Sequence, residues 1–404
     1  RQYVREFRDA LAVADHALVL PVYSAGEAAV EGGGSDAIVN GSGHRLVEDR
    51  RTLPHILDEL SAGADTVVAF VGAGDIERDA EAYAKVLRRR GADIVSLDLP
   101  DLVTGRLSAE CALRANEPLA RRTTLGLGGA ARWYAEPANV DDIVLLLRAA
   151  AELDLRWFAI GRGSNLLVPD EGYDGLILHL DAAHWGAVAD LGEGRFRVGG
   201  GTRLKELCGF AAREGWKGFE FLEGIPGTVG GSLRMNAGAM GGWIFDVVES
   251  IEWLTPEGKV RAARRDSFDA LYRDCPQLHG SVVLSAVLRS AGRDEPAAIR
   301  TRMDEMGTKR RASQPREASA GCVFKNPEGD KAGRLIDLSG LKGRAVGPVS
   351  VSPTHANFLV NSGAAQAADF IALMRTVRAE VKSRQGVELQ PEIVALGREW
   401  KELL

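Results

Sequence analysis

Cysteine is scarce in this 404-residue chain, and what there is does not cluster. Cys111, Cys208, Cys275 and Cys322 stand far apart, with no CxxC pair and no Cys/His spacing of a zinc site. Neither a disulfide framework nor a metal site is expected, and reduced thiols fit a cytoplasmic protein. No apolar run approaches the roughly 18 residues a transmembrane helix needs, and no secretory leader is visible. An excess of one charge is also lacking. Lys and Arg number 50 against 56 Asp and Glu, a net of −6, which supplies no cationic face for nucleic-acid binding. The basic run Arg88-Arg89-Arg90 reads as a solvated helix face, while Lys309-Arg310-Arg311 is taken up below. Proline is sparse (15) and glycine abundant (47) in an otherwise ordinary composition, 45% apolar and 26% charged. That describes a globular chain of about two or three domains. The chain opens at Arg1 inside a charged helical pattern, so further upstream sequence is expected.

Residues 1–98 read as one α/β piece. The apolar run from Ala17 to Val22 has the form of a buried strand, and residues 51–63 form an amphipathic helix ending at Gly63. Residues 65–75 read as a strand running into a glycine-rich turn, and residues 76–90 as a second helix closed by Gly91. Alternating strands and helices predict a parallel sheet. Residues 99–120 are mixed, with a Glu117-Pro118 break, and read as a linker. From Arg121 onward strands are short, glycines cluster and helices come singly, which predicts α+β architecture with two subdomains, 121–290 and 291–404.

Two glycine-rich segments follow apolar strands. Residues 161–168 read "GRGSNLLV", and residues 223–242 read "EGIPGTVGGSLRMNAGAMGG". Glycines let backbone approach a ligand closely, and successive N–H groups can form an anion-binding nest. Each segment alone reads equally well as a structural turn. Two together raise the odds of a large phosphate-bearing cofactor. Neither carries the Lys of a GK[ST] loop, nor a GxGxxG opening a helix in a βαβ unit, so a P-loop and a Rossmann site are not supported.

Eight motifs then stand in one order: residues 123–137 "TTLGLGGAARWYAEP", 161–168 "GRGSNLLV", 218–242 "GFEFLEGIPGTVGGSLRMNAGAMGG", 272–275 "YRDC", 319–327 "SAGCVFKNP", 332–343 "AGRLIDLSGLKG", 355–361 "HANFLVN" and 389–397 "LQPEIVALG". In this, the C-terminal two-thirds resembles the UDP-N-acetylenolpyruvoylglucosamine reductases (the MurB family), NADPH-dependent FAD enzymes of peptidoglycan precursor synthesis. The resemblance implies an α+β FAD-binding fold of the vanillyl-alcohol-oxidase type (121–290) and an α+β substrate domain (291–404) ending in a catalytic Glu segment. It implies the shorter branch of the family, without a Tyr-bearing insertion, because "LSAVLRSAG" passes almost directly to the helix at Ala297. Residues 1–98 resemble a partial C-terminal domain of UDP-N-acetylmuramate–L-alanine ligase (MurC), as in a MurC–MurB fusion. An unrelated α/β domain is the alternative.

The resemblance implies the site residues. FAD is expected on Gly161, Arg162, Gly163, Ser164, Asn165 and Leu166, and on Gly224, Ile225, Pro226, Gly227, Gly230, Gly231, Asn236, Ala237 and Gly238. Arg273 is expected to bind the substrate carboxylate and the developing enolate, which suits a planar, always-charged fork. Glu392 is expected opposite it as a protonated acid, with a pKa raised by burial. Cys322 stands where many family members carry Ser as the proton donor. It is read as the general acid, with added sensitivity to oxidation and alkylation. Lys325, Asn326, Lys342 and His355 are expected to face UDP-N-acetylglucosamine enolpyruvate, although His355 also reads as a satisfied core histidine. Where the family often has Lys this chain has Ser313, so Arg310 or Arg311 is expected to compensate. Other peptidoglycan-precursor enzymes are the expected protein partners. Alternative functions are another FAD oxidoreductase on the same fold, a non-catalytic UDP-sugar-binding remnant, and an amide ligase. The last lacks a phosphate-binding GK[ST] loop.

Overall fold

The structure is a computed structural model. It describes residues 9–20, 35–39, 44–47, 52–61, 68, 70, 76, 79, 80, 83 and 98–404. The chain divides into two compact units, residues 1–96 and 97–404. In the first, β1 (Leu18–Val19) pairs in parallel with β2 (Arg45–Leu46), as an α/β reading requires. Helices α1 (Ser35–Val39) and α2 (Leu53–Ser61) accompany them. Val47, Leu53, Ile56, Leu57 and Tyr83 form a small core. Most of the expected strand and turn of 65–75 and of the helix of 76–90 lies outside the described residues.

Residues 99–120 are not a linker. Helix α3 (Leu99–Val103) is started by a capping box between Asp98 and Asp101, and it buries Leu99 and Val103. Strand β3 (Ala112–Pro118) then lies antiparallel to β4 (Ala130–Glu136) at the edge of a four-stranded sheet. The other members, β5 (Trp157–Ile160) and β7 (Tyr173–His179), run parallel to each other, β7 also to β4. Asp142 fastens the segment. Its buried carboxylate accepts hydrogen bonds from the Ser108 N–H and hydroxyl and from the Ala138 N–H. That residue sits in α4 (Val140–Glu152), capped by Asn139, whose Ile143, Leu146, Leu147 and Ala150 face the sheet at helical spacing. The two-residue strand β6 (Leu166–Leu167) follows β5.

A second sheet is five-stranded and antiparallel. Its order is β11 (Val260–Arg264), β10 (Val248–Leu254), β12 (Val282–Arg289), β9 (Arg195–Gly199) and β8 (Val188–Gly192). Helices α5 (Leu204–Arg213) and α6 (Val229–Arg234) pack on it around Phe196, Leu207, Phe219 and Leu233. The expected boundary at 290/291 falls inside this lobe. Gly292–Arg293 pairs with Trp216–Lys217, and α7 (Pro296–Ser313) places Met303 against the same core. Arg302 of α7 also clamps the nearly buried Glu220 at 2.8 Å. The break was misplaced because charged α7 carries few apolar residues to say which core it joins.

The third sheet is four-stranded and antiparallel: β13 (Ala318–Cys322), β16 (Phe358–Asn361), β15 (Val349–Val351) and β14 (Ala345–Val346). Helices α8 (Ala332–Leu338) and α9 (Ala367–Gln385) cover it. The backbone N–H groups of Ala367 and Ala368 at the start of α9 donate to the Asp170 carboxylate, and Gly386 at φ 71° ends the helix in the left-handed conformation. Strand β17 (Val394–Ala395) leaves this lobe to pair in parallel with β6. The C-terminal segment is thereby laid beside the first glycine-rich loop. Among the described residues no helix is long and apolar enough to cross a membrane, and no group of His, Cys, Asp and Glu could hold a metal ion.

Candidate active site

The two glycine-rich loops meet. Ser164 Oγ donates to the Pro226 carbonyl at 2.6 Å. A methyl at Gly161 would run into Thr228 Oγ1, and one at Gly163, which has φ 60°, would lie 2.5 Å from the Arg122 carbonyl. Close backbone approach explains both glycines, so Gly161→Ala is expected to overpack the junction by about 1–3 kcal/mol, lowering the melting temperature by roughly 2–10 °C. Gly231→Ala is the control: its added methyl meets nothing closer than 3.6 Å inside α6. Differential scanning calorimetry reads both. Equal melting temperatures for the two variants would show that the junction has room.

The remaining cofactor candidates divide by what their backbone already does. Leu166 is buried and paired with Val394, the Gly230 N–H donates to the Gly200 carbonyl, and the Ala237 N–H donates to the Ser232 carbonyl. Gly231 donates to the capping Thr228 Oγ1. These residues shape the loop. Ile225 packs against the five-stranded lobe, Gly224 and Gly227 turn the chain at positive φ, and Arg162 is exposed. Asn236 donates its amide to the Leu271 carbonyl at 2.9 Å, while its buried Oδ1 has no partner.

Catalytic candidates come from two lobes to one point, beside the first glycine-rich loop. The backbone of 323–325 runs against 390–392: Glu392 N–H donates to the Val323 carbonyl at 2.7 Å, and Lys325 N–H to the Gln390 carbonyl at 2.8 Å. This pairing sets Cys322 and Glu392 side by side. Asn165 of the first glycine-rich loop donates to the Glu392 carbonyl at 3.2 Å. Arg273, on a tight turn between Leu271 and Asp274, reaches over with Nε 2.7 Å from Glu392 Oε1, while a terminal nitrogen donates to the Gly238 carbonyl at 3.3 Å. Its backbone sits at φ 58°, a conformation a bulky residue adopts only under constraint from its surroundings. Trp243 and Tyr272 flank the guanidinium at 5.5 and 5.6 Å.

Burial controls the protonation of this cluster. It lifts Glu392 above the ordinary carboxylate range in spite of Arg273, whose charge and hydrogen bond pull the other way. Lys325 also favours the charged form of Glu392. Burial, reinforced by Glu392, pushes the Cys322 thiol up to about 12; Arg273, Arg310 and a hydrogen bond with Asn357 oppose it. Burial therefore works against the expected sensitivity of Cys322 to alkylation, since the thiolate is the reactive form. Against an exposed cysteine it is expected to react with iodoacetamide at pH 8 about a thousandfold more slowly. Thiol mass labelling over time checks this. Labelling at the rate of a free thiol would mean the group is open and ionised.

The substrate candidates do not all gather there. Lys325 does. Asn326 accepts from the Ala332 N–H at 3.1 Å and closes the loop before α8. Lys342 pairs with Asp337 at 2.7 Å. His355 packs edge-on to Phe358 with ring centroids 4.9 Å apart, and its Nδ1 accepts from the Asn357 N–H. Burial, aided by Lys342, lowers its pKa and keeps the ring neutral. The ring is half-buried, with one nitrogen and one face occupied from within the chain. Of the two arginines before Gln314, Arg310 turns to the site, whereas exposed Arg311 donates to Thr308 Oγ1. Sequence reasoning missed Asn357 and Tyr272. Asn357 is 2% exposed and grips both backbone groups of Phe324, fixing the chain just beyond Cys322. Tyr272 spans from Arg273 towards the Asn326 backbone. Both lie in motifs whose neighbours drew the attention. Tyr272 also lines a 210 Å³ recess with Asn236, Trp243 and Leu271. A larger surface groove of 680 Å³ along residues 246–249, 264–266 and 289–291 holds none of the candidates.

Residues 131–264 match the FAD binding domain family, and residues 314–396 match the C-terminal domain of UDP-N-acetylenolpyruvoylglucosamine reductase. The chain is 41% identical over 287 residues to the UDP-N-acetylenolpyruvoylglucosamine reductase of Pelobacter propionicus, covering 71% of this chain and 96% of that protein. It is 41% identical over 304 residues to that of Geobacter sulfurreducens, covering 74% and 99%. The crystal structure of the Thermus caldophilus enzyme superposes with a TM-score of 0.61 at 34% identity, covering 71% of this chain and 98% of that one.

Proposed function

Because the chain belongs to the UDP-N-acetylenolpyruvoylglucosamine reductase family, we propose that Cys322, Glu392 and Arg273 carry out the reduction of the enolpyruvyl group of UDP-N-acetylglucosamine enolpyruvate. The protein is an FAD-dependent oxidoreductase with NADPH as reductant, acting in peptidoglycan precursor synthesis. The observation that carries the assignment of roles is the meeting of an acidic hydrogen, a buried carboxyl and a guanidinium beside two interlocked glycine-rich loops. Those loops fit FAD: the buried Asn236 Oδ1 of the second loop has no partner within the chain, and Ser164, Asn165, Gly224–Gly227 and Gly238 would hold the cofactor. The flavin, when bound, takes a hydride from NADPH and passes it on to the substrate.

The residues do the rest. Hydride arrival at the enolpyruvyl methylene carbon leaves negative charge on the neighbouring carbon and its carboxylate. Arg273 stabilises that charge, and protonated Glu392 donates a hydrogen bond to it. Cys322 Sγ gives its proton to the carbon bearing the carboxylate, and solvent restores that proton. A thiol pushed up to about 12 holds its proton until a strong carbon base forms. Lys325 and Asn326 extend the site towards the UDP-sugar.

Two finer readings accompany this. The chain is of the shorter branch, since β12 ends at Arg289 and α7 begins at Pro296, leaving little room for an insertion. Residues 1–98 derive from a ligase C-terminal domain of the MurC type, an origin supported by their sequence, by their separate compact unit and by the parallel β1–β2 pair. Cytoplasmic location and association with other peptidoglycan-precursor enzymes fit a nucleotide-sugar substrate. The test is an anaerobic absorbance spectrum. A flavin band that NADPH bleaches and the enolpyruvyl sugar restores is expected. No bound flavin after reconstitution would leave a UDP-sugar-binding remnant as the better account. The same spectrum from residues 97–404 alone would place the reductase wholly in the second unit.

A further inference from the structure

Two guanidinium groups favour the Cys322 thiolate electrostatically, and among the described residues a carboxylate pairs with only one of them. Arg273 has Nε on Glu392 and a terminal nitrogen on the Gly238 carbonyl. Arg310 reaches in from the last turn of α7. Its stem lies across Gly224, where an added methyl would come 2.8 Å from Cδ. The Arg310 Nε is buried and has no hydrogen-bond partner. Burial works against its charge, Arg273 adds like-charge repulsion, and the opposing pull of Cys322 and Glu223 is insufficient. An arginine cannot discharge to escape such a position. A buried donor left unpaired is costly, so this one is set for an acceptor that arrives from outside the chain.

We propose that Arg310 is the second arm of a clamp on the carboxylate of the enolpyruvyl group, an inference that rests on the reductase reading above. Substrate connectivity carries the argument. The carbon that takes the proton from Cys322 is bonded directly to the carboxylate. A thiol placed to protonate that carbon therefore has the carboxylate beside it, and the Arg310 charge is within electrostatic reach of the thiol. The diphosphate lies beyond the sugar ring. Arg273 has already committed Nε to Glu392, which leaves it a partial fork. Arg310 supplies the missing donors and offsets the burial of a second anion next to Glu392. It thus sets specificity for a ligand bearing a carboxylate at this point.

The experiment titrates the oxidised flavoprotein, as full chain, with UDP-N-acetylglucosamine enolpyruvate and with UDP-N-acetylglucosamine, which lacks that carboxylate. Binding is read from the flavin absorbance change or by competition. For Arg310→Met, affinity for the enolpyruvyl sugar is expected to fall about 10- to 100-fold, with a change of roughly threefold or less for UDP-N-acetylglucosamine. Arg310→Lys should recover part of the loss, and it decides the matter if the Met variant fails to hold flavin. Equal weakening of both ligands would move Arg310 to the diphosphate or to a structural role, and no weakening of either would remove it from the site. Each overturns the clamp. Failure of the wild-type protein to bind the enolpyruvyl sugar would instead overturn the reductase reading.

Discussion

Replacing Cys322 by alanine is expected to leave reduction of the flavin by NADPH unchanged and to cut product formation by about 10²- to 10⁴-fold, the usual contribution of a positioned general acid. Cys322→Ser should keep turnover within about tenfold of the parent. The reason lies in the burial of the thiol. An exposed thiol is a much stronger acid than an alcohol. Here burial and the neighbouring Glu392 push Cys322 up to about 12, so the thiol is protonated at neutral pH, as a serine hydroxyl would be. Both groups then enter the reaction protonated and give up the proton only to a carbanion-like carbon. Arg273 and Arg310, both of which favour the thiolate, would stabilise the conjugate base in either case. Anaerobic stopped-flow measurement separates the two half-reactions: bleaching of the flavin by NADPH, then its return with the enolpyruvyl sugar. Normal return of the flavin band and normal product yield in the alanine variant would remove Cys322 from the proton-donor role. Loss of bleaching in that variant would mean that the substitution had disturbed the flavin site instead.

The glycine-rich loops were legible in the sequence by their composition, although residues 229–234 of the second form the short helix α6 and a 3-10 turn, Glu220–Leu222, precedes that segment where a strand was expected. Their interlocking through Ser164–Pro226 and Gly161–Thr228 was not, since nothing in local spacing says that residues 60 or more apart will touch. Arg273 and Glu392 are separated by 119 positions, and only the resemblance could bring them together in advance. Residues 99–120 misread for a physical reason. Helix α3 has only five residues, too few for a clear apolar period, and its start is defined by the Asp98–Asp101 capping box. Strand β3 alternates weakly because it is an edge strand with Arg114, Asn116 and Glu117 on it. The chemical state of Cys322 is not legible from the sequence either. Residue type suggests a reactive thiol, whereas its reactivity is set by the desolvation and charges that the fold assembles around it. His355 illustrates the reverse. A histidine in a family motif reads as a ligand, whereas the Asn357 N–H and the Phe358 ring already occupy one nitrogen and one face of it.

Glu392 provides the second large effect and fixes the pH dependence. Its carboxyl titrates above the ordinary carboxylate range because burial outweighs Arg273 at 2.7 Å. An acid with a raised pKa keeps its proton as pH rises past the usual range and loses it on passing through the raised value. If protonated Glu392 donates to the developing enolate, product formation should decline on that alkaline side. Cys322, up at about 12, contributes no limb near neutrality. Substrate binding strengthens the trend, because the enolpyruvyl carboxylate is a second negative charge that competes for Arg273. Glu392→Ala should lower product formation by about 10²- to 10³-fold, the cost of removing one donor from a charge-stabilising site. Glu392→Gln places a neutral amide donor in the same volume. It is expected to retain about tenfold more activity than the alanine variant, and its alkaline decline should vanish because nothing at that position titrates. Rates of flavin return measured from pH 5 to 9, under saturating substrate, read both properties together. Should glutamine prove as poor as alanine, the site needs the negative charge of Glu392, and its part would be to orient Arg273 as an anion. Survival of the alkaline limb in the glutamine variant would assign that limb to another group, and the raised carboxyl would have no place in the rate.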